Sequence, residues 1–297
     1  MEPPRGKTRI VLDTDAYNEV DDQFALAYAL LSPERIEVEA IYATPFVNSR
    51  AQTPAEGMEG SYDEILRVLE RMGRTPADGF VLRGSERYLT GADDALVSPA
   101  AEDIVRRAME QRDEPLWVVG LGCPTNIAAA LKIEPAIVDR IVILWIGGQQ
   151  YHSPSATDFN IKQDYWASSA LYDCAAAFVN VPGYLVSEQL RTTIWELERY
   201  LKGRSPIADY LFETVQGYYL ERRRSEDDPW SKVIWDIATI GFLVNPEWVP
   251  TQLAPAPRLN QDMTWTLDDS RLSVRVATRV ERDSIYRDMF RKLAAAR

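Results

Sequence analysis

The stretch that most restricts what this chain can become is residues 9–31, RIVLDTDAYNEVDDQFALAYALL. Ile10, Val11 and Leu12 form an apolar run long enough for a buried strand ending at Asp13. From Gln23 onward, Phe24, Leu26, Ala27, Leu30 and Leu31 recur at helical spacing. Between the two lie Asp13, Asp15, Glu19, Asp21 and Asp22, five carboxylates in ten residues. They repel one another unless something positive sits among them. The carboxyl end of a strand in an open α/β sheet is also where such folds bind ligands. Asp21 and Asp22 fall on the first turn of the next helix, where free N–H groups and the helix dipole favour negative charge. Helix capping by Asp21 accounts for one acid and leaves Asp13 and Asp15 without a purpose. A hard divalent cation held by oxygens accounts for all of them. Carboxylates suit Ca²⁺ better than Zn²⁺, and one His and two Cys nearly exclude a nitrogen–sulfur site.

A chain of 297 residues, 46% apolar, accommodates one large α/β domain or two small ones. No apolar run approaches the ~20 residues of a membrane helix, so no membrane partner is expected. The start, MEPPRGKTRIV, has no hydrophobic signal region. Cys123 and Cys174 are too few for a disulfide framework, which fits a cytoplasmic location. The net charge of −12 argues against nucleic acid as a partner.

Strand-like and helix-like stretches alternate along most of the chain. Residues 36–43 (IEVEAIYA) read as a second strand, with Asn48 in the loop that follows. Helices are expected over 57–72 and 99–111, with a short strand at 79–82 and an apolar strand at 115–121. The turn GCP opens a helix TNIAAALK with Thr125 as its N-cap. Residues 140–146 (RIVILWI) form the most hydrophobic run and therefore a central strand, ending in Gly147-Gly148. A polar loop, QQYHSPSATDFN, leads into a helix over 163–179, and 183–186 read as a further strand. Residues 195–219 read as two helices broken at Gly203 and Pro206, and 230–243 as an apolar helix. Residues 272–278 alternate like an edge strand, and 283–296 close as an amphipathic helix. No repeat or linker divides the chain. The alternation predicts a single α/β domain, 1–297, with an open, doubly wound, mainly parallel sheet flanked by helices.

The opening stretch, PTNIAAAL, IVILWIGG, DFN and WDIATIGFL occur in that order. Together they resemble the nucleoside hydrolases, the inosine–uridine-type N-ribohydrolases, from near Arg9 to the C-terminal VATRVERDSIYRDMFRKL. The signature of that family is DxDxGxDD. Here it reads Asp13-Thr14-Asp15, then Ala16 to Val20, then Asp21-Asp22, with two residues inserted and no glycine. The resemblance implies Ca²⁺-dependent cleavage of the N-glycosidic bond of a ribonucleoside or related riboside by water. It implies that Asp15 binds the metal and activates the metal-bound water as general base. Asp22, Asp236 and the carbonyl of Leu121 would complete the protein ligands. Asp21, Asn48 and Asn160 would hold the ribose hydroxyls, with Asp13 supporting the loop. It also implies a homodimer or homotetramer. The chemistry agrees, because breaking such a bond passes through an oxocarbenium-like sugar that nearby carboxylates stabilise.

Three positions depart from the family pattern. Trp235 stands where a His, often proposed to protonate the leaving base, precedes the metal-binding Asp. His152 and Asp158 stand where the loop before DFN usually supplies Asn and Glu to the ribose. His152, the only imidazole, is either a surface residue or a contact to sugar or leaving group. Trp235 is either a core aromatic or a wall of the base pocket that stacks on a planar leaving group. Tyr17, Tyr218 and Tyr219 are further candidates for pocket walls or core. Arg222-Arg223-Arg224 reads as a solvated turn or a receiver of a substrate anion, and Cys123 as a small buried residue. Two other functions fit parts of the same sequence. A ribose-binding sensor without efficient turnover is motivated by Trp235. A haloacid-dehalogenase-type phosphatase would use the strand-end DxD with a later acidic pair, Asp93-Asp94 or Asp227-Asp228.

Overall fold

The structure is a computed structural model that describes residues 2–223, 225 and 229–296. Its centre is an eight-stranded sheet. The strands in chain order are β1 (Thr8–Thr14), β2 (Ile36–Ala43), β3 (Val81–Arg83), β4 (Leu116–Gly120), β5 (Ile141–Ile146) and β6 (Ala177–Val181). Two short strands, β7 (Arg191–Thr192) and β8 (Lys232–Val233), pair with each other. β9 (Thr251–Pro255) returns to the main sheet, β10 (Arg258–Leu259) and β11 (Trp265–Thr266) form a small antiparallel pair, and β12 (Ser273–Ala277) completes the main sheet. The order across the main sheet is β3-β2-β1-β4-β5-β6-β12-β9. All neighbours are parallel except β9, which runs antiparallel to β12. This is the doubly wound, mainly parallel architecture expected from the alternation of elements.

Among the described residues ten α-helices cover the sheet: α1 (Asp22–Leu30), α2 (Pro54–Arg71), α3 (Pro99–Met109), α4 (Thr125–Ile133), α5 (Phe159–Gln163), α6 (Tyr165–Asp173), α7 (Ile194–Leu201), α8 (Pro206–Arg222), α9 (Ile237–Val244) and α10 (Arg282–Ala295). The strand period of two sorts side chains between the two faces. Ile10 and Leu12 of β1 join a core with α1, α2, α8, α9 and α10. Val11, between them, joins the opposite core with α3, α4 and α6. The same alternation continues one step past the apolar run, and that step builds the site. Asp13 points toward α4, where its Oδ1 accepts from Asn126 Nδ2 at 2.8 Å. Thr14 points toward α1, where its hydroxyl donates to Asp22 at 2.5 Å.

Strand order reverses direction of growth at β1, with β2 on one side and β4 on the other. Such a switch point leaves a crevice beyond the carboxyl ends of the two central strands, because their following helices pass to opposite faces. Asp13 of β1 lies opposite Gly120 of β4, and Leu121 N–H donates to the Asp13 carbonyl at 2.7 Å. The acid loop and the turn after β4 therefore meet at this crevice.

Five expectations are corrected. The helix expected over 230–243 is confined to α9, Ile237–Val244, and Lys232–Val233 form the strand β8. The helix expected over 163–179 ends at Asp173, and residues 177–181 form the interior strand β6. Residues 183–186 are not a strand; Leu185 is at φ 66°, which breaks extended backbone, and a 3₁₀ turn follows. β12 is not an edge strand, because β9 lies outside it. Thr125 is the first residue of α4 rather than its N-cap, and its hydroxyl donates instead to Asp164 at 2.8 Å.

Candidate active site

A cavity of about 340 Å³ opens at the switch point. It is lined at its acidic end by Asp15, Asp21, Asp22, Asp236 and Leu121, and elsewhere by Asn48, Asp158, Asn160, Tyr184, Arg222 and Trp235, among others. Its volume falls in the range of small-molecule pockets. Of the residues expected to meet metal, sugar or base, all but His152 contribute to its wall, whereas the candidate wall residues Tyr17, Tyr218 and Tyr219 do not.

The carboxylates are deeply buried. Asp15, Asp21, Asp22 and Asp236 expose 1%, 4%, 2% and 5% of their surface. Three of them, Asp21, Asp22 and Asp236, bring carboxylate oxygens within 4.8 Å of one another. Asp15 Oδ2 and Asp13 Oδ2 are buried without any hydrogen-bond partner. Burial, then the charges of Asp22 and Asp21, hold the Asp15 carboxyl well above its ordinary range. Burial and the Asp21 charge push Asp22 up to about 7, and burial with the neighbouring acids raises Asp236 strongly. Burial alone takes Asp13 to about 7 against the Asn126 bond, which works the other way. Anions in such a pit are stable only with protons or a cation among them. An all-oxygen donor set with orphaned carboxylate oxygens fits a hard divalent ion such as Ca²⁺.

The loop positions are fixed by backbone and amide bonds. Leu121 follows β4, and its carbonyl accepts from Asn160 Nδ2 at 2.8 Å; a carbonyl has a second lone pair free for a ligand. Asn160 Nδ2 also reaches the Ile146 carbonyl at 2.9 Å, tying α5 to the ends of both β4 and β5. Asp158 caps α5, accepting from Ile161 N–H at 2.8 Å and from Gly148 N–H at 2.5 Å, and burial raises it to about 6. Asn48 donates to Asn18 Oδ1 at 2.7 Å and accepts from Arg50 N–H at 2.7 Å. Asn48 and Asp158 therefore arrive in the wall with their orientation already set.

Trp235 is half-buried, its ring 5.5 Å from that of Tyr184. Its backbone N–H donates to Asp21 Oδ2 at 3.2 Å, so the residue before Asp236 also orients the acid loop. His152 departs from the expectation. It is exposed and lines a separate groove with Gln252, Ala254 and Thr278. The physical reason is its neighbour: Tyr151 packs its ring against Trp265 and Tyr172 at 5.7 and 6.2 Å, which holds this part of the loop away from the acids.

Two residues of the site, Asn126 and Lys232, carried no sequence signal. Asn126 is fully buried and bonds Asp13, the Ala43 carbonyl and Ser85 at once. Lys232 is buried beside the acids, donating to Glu19 at 2.6 Å. Tyr218 donates to the other oxygen of Glu19 at 2.5 Å, and the Arg222 guanidinium lies 3.4 Å from the Tyr218 ring centre. Arg222 closes α8 at the cavity wall, whereas Arg224 and the pair Asp227-Asp228 lie outside the described residues. Asp93 is exposed in a surface loop, and its neighbour Asp94 is paired with Arg87, so neither joins the cavity. Tyr17 lies under Arg50 and beside Phe46, and Tyr219 packs on Trp230. Cys123 is buried, its thiol donating to the Pro45 carbonyl at 2.9 Å.

Gly122 is the position at which the turn after β4 leaves no room for a side chain. A Cβ there would stand 2.7 Å from Asp15 Cγ and 2.6 Å from Thr44 Cγ2. Both neighbours are buried, so neither can move aside cheaply. Gly122→Ala is expected to cost about 1–3 kcal/mol of stability and to displace Asp15, lowering turnover about tenfold or more. Thermal unfolding and steady-state kinetics on the same preparation check both.

Over residues 10–287 the sequence matches the family described as inosine-uridine preferring nucleoside hydrolase. The chain belongs to the nucleoside hydrolases. This hydrolase is 27% identical over 267 residues to the pyrimidine-specific ribonucleoside hydrolase RihA of Escherichia coli strain HS, covering 82% of the chain and 81% of that protein. RihA of Shigella boydii matches at the same identity and length. Among solved structures, a plant nucleoside hydrolase superposes with a TM-score of 0.74 at 22% identity, covering 97% of this hydrolase and 99% of that chain. A purine-preferring ribonucleoside hydrolase from Gardnerella vaginalis gives 0.74 at 21% identity, with the same coverage. These structures share the fold. Membership makes the chain an N-glycosyl hydrolase, acting on ribosides, rather than a phosphatase or a binding protein.

Proposed function

We propose that this hydrolase cleaves the N-glycosidic bond of a ribonucleoside or related riboside with a Ca²⁺ ion held by Asp15, Asp22, Asp236 and the Leu121 carbonyl. The observation that carries the reading is the pit of buried carboxylates at the switch point, with Asp15 Oδ2 unpartnered, opening into a cavity walled by amides, a further acid and an indole. When bound, the cation neutralises the pit and polarises a water molecule.

The chain's own residues supply the rest. Asp15 takes a proton from the attacking water as its oxygen bonds to the anomeric carbon. The C–N bond breaks with its electron pair leaving on the base. Asp21, Asn48, Asp158 and Asn160 hold the sugar hydroxyls, and the carboxylates of Asp21 and Asp158 stabilise the cationic sugar as it develops. Trp235 presents a planar face on which the departing base stacks. The base departs as an anion beside the cations Arg50 and Arg222, which favour its negative charge, and takes up its proton from solvent. His152 has no part in this scheme. The chain acts as one α/β domain, and a cytoplasmic homodimer or homotetramer accompanies this reading.

Release of free base and reducing sugar from a panel of purine and pyrimidine ribosides tests it. Chelator-stripped protein is expected to lose at least about 99% of its turnover and to regain it with Ca²⁺. Full turnover in excess chelator would refute the metal assignment, and no release from any riboside would refute the substrate class.

A further inference from the structure

The acid pit offers more carboxylates than one cation needs. Asp21, Asp22 and Asp236 converge within 4.8 Å, and Asp15 lines the same cavity. The proposed mechanism nevertheless assigns Asp21 to the sugar. Something in the fold must separate two chemically identical groups that are adjacent in sequence.

Lys232 provides that distinction. It belongs to β8, three residues before Trp235, and only 7% of its side chain is exposed. Its Nζ stands 3.7 Å from Asp21 Oδ1, donates to Glu19 Oε2 at 2.6 Å and donates to the Val233 carbonyl at 2.8 Å. Glu19 lies in the stretch of the acid loop that is longer than the family pattern, and Tyr218 holds its other oxygen at 2.5 Å. Asp21 is thus already beside a cation, and its Oδ2 also accepts the Trp235 N–H at 3.2 Å. Among the described residues no Lys or Arg pairs with Asp15, Asp22 or Asp236, and Asp22 has the Thr14 hydroxyl at 2.5 Å.

We propose that Lys232 is a positioning residue that reserves Asp21 for the substrate sugar by pairing with it and keeping it out of the cation's coordination. This rests on the riboside-hydrolase reading above. A buried ammonium in contact with one carboxylate lowers the pull of that carboxylate on a second cation, and it also repels the cation directly. Asp22 and Asp236, facing no ammonium at ion-pair distance, are left as the ligands. Glu19 and Tyr218 hold Lys232 in place from the outer side, so the longer loop and the lysine form one device.

The test uses the full chain with Lys232→Met and Lys232→Arg. Calorimetric titration with Ca²⁺ alone is expected to show binding tightened roughly tenfold or more in K232M. The KM for the best riboside is expected to rise about tenfold or more, with kcat changed much less, because Asp21 is drawn from the sugar to the ion. K232R is expected to restore both values to within a few-fold of wild type. A residue that merely supported the fold would lower thermal stability without tightening Ca²⁺ binding. If K232M does not fold, Glu19→Gln with Lys232→Met removes the facing charge along with the ammonium, and the same tightening is expected. Wild-type protein that takes up no Ca²⁺ would overturn the functional reading. Wild-type protein that binds Ca²⁺, with variants that bind it no more tightly and keep KM, would overturn the role of Lys232 alone.

Discussion

Asp15→Asn is expected to lower kcat by about 10³-fold while leaving the protein as stable as wild type, or more so, when cations are removed. On the proposed mechanism the loss follows from removing the group that accepts the water's proton; positioned general bases contribute typically ~10²–10⁴. The unusual half of the expectation is the stability. Asp15 Oδ2 makes no hydrogen bond, and the Asp15 charge is opposed by those of Asp22 and Asp21. The amide has the same shape and no charge, so it relieves repulsion in a buried site. With Ca²⁺ present the order is expected to reverse, because on the proposed metal assignment the wild-type protein gains a ligand-binding term that the variant loses in part. Unfolding curves in chelator and in Ca²⁺, set beside turnover, check the three statements together. A variant that loses activity because it is destabilised in chelator would contradict this account of the pit.

Trp145→Ala is expected to carry the largest cost in stability, about 3–5 kcal/mol from the cavity it leaves. Trp145 is fully buried in the central strand β5, with its ring 6.1 Å from Tyr172 and 6.5 Å from Phe178. Its indole N–H donates to the Gly122 carbonyl at 2.9 Å, so the same substitution orphans a buried acceptor beside Asp15. At roughly 2 °C per kcal/mol for a chain of this size, the melting temperature is expected to fall by about 6–10 °C. Trp145→Phe keeps most of the ring and loses only the donor. It is expected to cost less stability than Ala yet still to reduce turnover, through the loosened turn at Gly122. Equal stability and full activity in the Phe variant would show that this bond does not position the site.

The strand-end acids were legible because chemistry and pattern coincided: an apolar run, a break into carboxylates and a helical repeat can be read without knowing the rest of the fold. The same holds for β5, whose continuous apolar run marks a strand buried on both faces. β6 was hidden because AFVNV follows an alanine-rich helix with no Gly or Pro between them, and a five-residue strand has little period to show. β9 was hidden for the opposite reason. TQLAP is short, polar and closed by Pro, which reads as a loop until β12 is seen to need a neighbour. Of the candidate site, the residues proposed to meet ligand were nameable from motifs, but the contacts that hold them were not. Lys232 lay inside what reads as one apolar helix, 230–243, and only the turn before α9 brings it to Asp21. Glu19 and Tyr218 are 199 positions apart in sequence. His152 shows the converse failure: an offset within a loop predicted a ligand contact, and aromatic packing of Tyr151 decided otherwise.

The most direct test of the central claim is calorimetric titration of Ca²⁺ into chelator-stripped protein, with riboside turnover followed at each addition. One ion per chain is predicted, with turnover rising in proportion to its uptake and with both signals abolished in Asp236→Asn. Turnover at full rate before any Ca²⁺ is taken up, or uptake with no gain in turnover on any riboside, would contradict the assignment of the buried acids to a catalytic cation.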